Sequence, residues 1–133
     1  MKQTLLMILF FTALKSFSQD TTTIIKDTLI EGKDAIVFSN GKLVVEGQKI
    51  KCGRGTMTNG DFKFIFISRT AMVNGGLAIG RSYSGLMLDV KKVSKVGNKK
   101  RGYKYLIKVG GGNIVNYECE IADAVAVGEI ILQ

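Results

Sequence analysis

Apolar residues in this chain alternate with polar ones over short runs, and Gly, Asn or Ser breaks those runs about every eight to twelve residues. A two-residue period sends successive side chains to opposite faces of a pleated strand, so the pattern predicts short β-strands rather than helices. "AIVFS" and "KLVVE" flank Asn40-Gly41, two residues that tolerate positive φ, which predicts a two-residue type I′ hairpin. Asn59-Gly60 predicts the same between "RGTMT" and "DFKFIFIS", and Asn74-Gly75-Gly76 marks a third turn. Within "FKFIFI", Phe62, Phe64 and Phe66 share one face while Ile65 and Ile67 take the other, the pattern of a central strand covered on both sides. Further strands are expected in "TIIKDTLI", "QKIKC", "LAIG", "GLMLDVKKV", "YKYLIKV", "NIVNYECEI" and "GEIIL", with a helical turn only in "ADAVAV". The expected fold is a single all-β domain over 19–133, a small antiparallel barrel or sandwich. The chain has no Pro, so its strand edges must be protected by charge, bulges or closure.

One segment is far more basic than the rest. Residues 89–112 carry eight Lys or Arg and, after Asp89, no acid. With Gly97 to Gly102 as the loop, Val96 stands opposite Tyr103, Lys95 opposite Lys104 and Lys91 opposite Lys108. One face then holds these four lysines around Val93 and Leu106. The other holds Val90, Val96, Tyr103, Tyr105, Ile107 and Val109 and reads as the core side. Lys92 is the misfit there, so a β-bulge is expected at Lys91-Lys92. Like charges directly opposed on a sheet cost roughly a few tenths of a kcal/mol or more per pair, and something must offset them. Water and counterions screen exposed charge beyond about 8 Å; the alternative is an anionic partner, with Lys99, Lys100 and Arg101 at the tip as a second contact.

The first eighteen residues differ from the rest: Met1-Lys2, an apolar run from Leu5 to Leu14, then Ser16-Phe17-Ser18. This is the pattern of a signal peptide over 1–18, cleaved after Ser18. Lys15 ends the run before the ~20 residues that a membrane span needs. The "FSQD" ending resembles export leaders common in Bacteroidota, a resemblance confined to the leader. The mature chain is therefore expected in the periplasm, at the outer membrane or outside the cell. Nineteen Lys and Arg face eleven Asp and Glu in the whole chain, and loss of Lys2 and Lys15 leaves a net charge near +6. From Phe62 to Tyr117 there are eleven basic residues and a single acid, Asp89. In an oxidising compartment, Cys52 and Cys119 are expected to form a disulfide, worth about 4 kcal/mol for a loop of this length. The competing reading is a free, nucleophilic Cys52 whose pKa is lowered by Lys51 and Arg54 in "KCGRG".

Little in the chain is suited to catalysis. It lacks His and Trp, and no catalytic residue, cofactor motif or metal-ligand spacing stands out. Glu118 and Glu120 flank Cys119 and would share one solvated sheet face. "GGLAIGRS", Gly75 to Ser82, has the spacing of a phosphate-binding loop with Arg81 in place of the lysine, but "YSGLMLDV" after it is a strand pattern where that loop requires a helix. Single-strand nucleic-acid binders interleave cations with aromatics. The expected register separates Tyr103 and Tyr105 from the paired lysines, and export also argues against nucleic acid. The expectation is a non-enzymatic, exported binding or accessory subunit of an envelope or extracellular assembly. Its contact surface is the basic hairpin: Lys91, Lys95, Lys99, Lys100, Arg101, Lys104 and Lys108. The partner is an acidic protein face, or alternatively lipopolysaccharide headgroups or an acidic glycan bound directly.

Overall fold

The computed structural model describes residues 24–67, 78–110 and 116–133. The expected signal peptide, the turn expected at Asn74-Gly75-Gly76 and the glycines that follow Gly110 lie outside the described residues.

The chain is mostly β, arranged in two antiparallel sheets. Strands β1 (Ile24–Ile30), β2 (Lys33–Phe38) and β3 (Leu43–Val45) form a three-stranded sheet in that order. The others are β4 (Lys49–Cys52), β5 (Ile65–Ile67), β6 (Met87–Asn98), β7 (Gly102–Gly110), β8 (Asn116–Glu120) and β9 (Ile130–Ile131). They make a six-stranded sheet, in the order β5-β8-β7-β6-β4-β9, that curls into a half-barrel. The alternation in sequence decides what faces inward: Ile50 and Cys52 are buried while Lys49 and Lys51 are exposed, and Tyr117 and Cys119 are buried between the half-buried or exposed Asn116, Glu118 and Glu120. Ile36, Phe38 and Val44 of the small sheet join Leu88, Val90, Val93, Ile107 and Val109 of the large one in a single apolar cluster. The segment read as a helical turn is a short helix, α1 (Ile121–Ala126), which buries Ile121 and Ala124 against the same cluster.

The turns differ from the two-residue expectation. At Asn40-Gly41 the hairpin forms, but Phe38 N–H donates to Lys42 O at 2.8 Å and Gly41 N–H to Phe38 O at 2.9 Å, which makes Ser39–Gly41 a three-residue loop. The Asn40 side chain accepts the Lys42 N–H at 3.0 Å, and Gly41 alone in the loop takes positive φ, +79°. At Asn59-Gly60 the same three-residue turn closes, with Met57 N–H donating to Asp61 O at 3.0 Å and Gly60 N–H to Met57 O at 2.8 Å, but no strands flank it. Residues 53–64 form a loop rather than a strand, and only Ile65–Ile67 of the expected central strand is regular. That strand lies at the edge of its sheet, beside β8 and bridged to Ala78 through Phe66.

Glu129 explains this loop. Its carboxylate is fully buried and accepts N–H groups from Thr56 at 3.0 Å, Lys63 at 2.7 Å and Phe64 at 2.8 Å, together with the Thr56 hydroxyl. Donors that a neighbouring strand would otherwise satisfy are taken by this one side chain. It lies next to β9, the last strand of the curled sheet, while Lys63 and Phe64 lead into β5, the first. The carboxylate thus ties the two ends of the sheet together.

The expected disulfide is absent. Cys52 on β4 and Cys119 on β8 are both free, buried thiols. Strands β6 and β7 lie between them in the sheet order, and the two thiols are not close enough to bond.

Candidate binding surface: the β6–β7 arm

The β6–β7 hairpin is longer than the strands on either side of it, β4 and β8, can cover. β4 pairs with it from Met87 to Asp89, and Gly47 and Gln48 extend the contact to Val90. On the other side, β8 pairs with β7 from Gly110 to Leu106 and then turns into α1. The rungs Lys95↔Tyr105, Val96↔Lys104, Gly97↔Tyr103 and Asn98↔Gly102 therefore continue as a two-stranded arm. At ~3.4 Å per residue it extends roughly 10 Å before its tip.

Val90 pairs with Val109 as expected, but from Lys92 to the tip the register is one residue away from expectation. Asn98 Oδ1 accepts the N–H groups of Lys100 at 3.1 Å and Arg101 at 2.9 Å, which closes a three-residue loop over Lys99–Arg101 with Gly102 at φ +81°. The slip moves the β6 side chains beyond the bulge to the other face and leaves those of β7, with Ile107 and Val109 buried, where they were expected. Lys95 thus stands opposite Tyr105 rather than Lys104, and the face with four lysines does not form. The bulge does occur where it was expected, between Val90 and Lys92. It restores Val90 and Val93 to the buried side and turns Lys92 outward, directly opposite Lys108.

The basic residues consequently fall into distinct settings. Lys95 Nζ lies 3.2 Å from Asp27 Oδ2 on β1, and 4.7 and 5.7 Å from the ring centres of Tyr103 and Tyr105. Tyr105 OH donates to Asp27 Oδ1 at 3.0 Å. The Asp27 carboxyl is held below its ordinary pKa by its own backbone first, then by Lys95 and Tyr105; the Lys95 ammonium is held above its ordinary value chiefly by the hydrogen bond to Asp27. Lys104 pairs with Glu120 at 3.2 Å. Lys108 occupies a cross-strand row between Lys92 and Glu118. Lys91, at the bulge, lies over Gly110, where an added Cβ would come within 2.8 Å of its Cε. Lys99, Lys100 and Arg101 are exposed at the tip. The separation of tyrosines from lysines inferred from sequence thus fails for Lys95, which shares a face with Tyr103 and Tyr105 but is already matched by Asp27.

The remaining candidates are accounted for by position. Burial, then the charge of Glu129, pushes the Cys52 thiol up to about 11, opposite to the shift a nucleophile needs. Burial raises Cys119 well above the thiol range, with smaller contributions from Cys52, Glu129 and Glu120. Glu118 and Glu120 share the outer face, on the side of β8 away from Cys119, as alternation requires. Among the described residues no three Cys, Asp or Glu come together as metal ligands. After Gly80 comes one 3-10 turn, Arg81–Tyr83, and then β6, so the phosphate-loop spacing has no helix behind it.

Sequence reasoning missed Asp27, Asn98 and Glu129. Asn98 did carry a signal, since Asn before a basic tip is a residue that closes turns with its own side chain. The other two act over 68 and 66 residues of chain, as Lys95 to Asp27 and Lys63 to Glu129, beyond any local pattern. Compared with protein-family models, curated proteins and solved structures, the chain matches none.

Proposed function

We propose that this protein is a non-enzymatic binding or accessory subunit, exported to a bacterial cell envelope or beyond it, that holds its partner with the β6–β7 arm. The observation that carries this reading is geometric: the arm outruns the strands on both sides and ends in three consecutive exposed cations, Lys99, Lys100 and Arg101. A two-stranded ribbon is marginal alone in water, and this one is braced at its root by Asp27. An arm held in place with its charge left outward suits an acidic protein face. We read the two sheets as an incompletely closed barrel, joined at its seam by Glu129 and covered by β1–β3.

The tip itself favours a second reading, direct binding of a polyanion such as lipopolysaccharide or acidic glycan, with affinity that falls steeply as salt rises. A Cys52-dependent enzyme is disfavoured, because that thiol is buried and its pKa is raised.

The test is reversal of Lys99, Lys100 and Arg101 to Glu in the full chain, followed by affinity purification from the native host. The expected result is loss of a copurifying protein with the melting temperature unchanged. Retention of the same partner would remove the arm from the function. Salt-sensitive capture of the unaltered protein on an anionic glycan matrix, with no protein partner, would select the polyanion reading instead.

A further inference from the structure

From Lys92 to Asn98, β6 pairs with β7 on one side, and among the described residues no strand pairs with its other side. This is a run of seven residues. A free edge of that length is a template for another chain unless something blocks it. Here two devices that guard such edges are present, the bulge at its start and Lys92 and Lys95 along it. Two copies of this chain pairing edge to edge would bring two cationic edges together, which works against self-association. The same guard selects for the opposite charge. Val96, 39% exposed, adds an apolar position on the outer face between Lys92 and the tip.

Building on the arm as the contact surface, we propose that the free edge of β6 over Lys92–Asn98 takes up an extended acidic segment of a partner protein as an added strand. The partner's backbone completes the ladder. Its outward residues place carboxylates beside Lys92 and near Lys99 and Lys100, with a β-branched residue against Val96. Backbone pairing of this kind gives affinity, and the alternate side chains give specificity.

The probe is a labelled ten-residue peptide, Thr-Glu-Thr-Glu-Thr-Val-Thr-Glu-Thr-Glu, whose outward set carries Glu on both sides of a central Val, with binding to the full chain followed by fluorescence anisotropy. Saturable binding is expected, together with loss of at least tenfold in affinity when the amides in one of the two alternating sets are N-methylated and little change when the other set is. A peptide with Lys in place of Glu should not bind. Equal binding by both methylated peptides would show attraction by charge alone and overturn strand addition, while leaving the arm as the contact. No binding by the acidic peptide, alongside loss of a native partner on reversal of the tip, would overturn it as well. So would capture by vesicles of anionic lipid that the peptide does not displace.

Discussion

At the scale of single residues, two carboxylates hold together parts of the chain that are distant in sequence, and each makes a measurable prediction. Glu129 satisfies three backbone N–H groups and a hydroxyl inside the fold. Glu129→Ala leaves these donors without an acceptor, at ~1–3 kcal/mol for each buried group. Urea unfolding should therefore show a loss of about 3 kcal/mol or more, and a loss under about 1 kcal/mol would mean that the carboxylate is dispensable. Asp27 acts nearer the surface. Its folded pKa is below the ordinary 3.8, so its contribution is fully present above that pH and is lost as pH falls through the lower native value. Lys95 is raised above 10.5 and keeps its share until pH climbs through that higher value. An NMR titration should find the Asp27 midpoint moving upward in Lys95→Met; an unmoved midpoint would show that Lys95 does not hold Asp27 in solution. Neither carboxylate was legible beforehand, because "KDTL" and "VGEII" say nothing of a partner more than sixty residues away.

At the scale of elements, strand identity was readable and strand pairing was not. Alternation located β2, β4, β6, β7 and β8, and the helical turn was seen in "ADAVAV". The register of the basic hairpin depended on whether its loop had an even or an odd number of residues, and Asn98 decided that with two hydrogen bonds. The expected central strand failed for a different reason: Glu129 supplied acceptors to the segment ahead of β5, so that segment had no need of a strand beside it. The arm carries its own prediction. Amides from Val96 to Tyr103 should exchange with solvent far faster than those of Val90, Ile107 and Val109, because only two strands protect them. Asn98→Ala should speed that exchange further and cost about 1 kcal/mol, the usual worth of lost turn hydrogen bonds. Uniform slow exchange along both strands would show that the arm is covered.

At the scale of the whole molecule, basic charge and apolar core are segregated by the same alternation. Each outward Lys on β4, β6 or β7 has an inward Ile, Val, Leu, Cys or Tyr beside it in sequence, so a surface rich in cations costs the interior nothing. The two ends of the curled half-barrel are linked by one side chain, Glu129. Such a sheet is expected to open like a cuff, its seam parting once Glu129 lets go while the long β6–β7 ladder stays fastened. Cys52 and Cys119 lie within electrostatic reach of that carboxylate. They therefore serve as a built-in clock for the unfastening, silent toward alkylating reagents while the cuff is shut. In Glu129→Gln both thiols should be modified at least tenfold faster well below the melting temperature, and equal rates in the two proteins would place the first opening elsewhere.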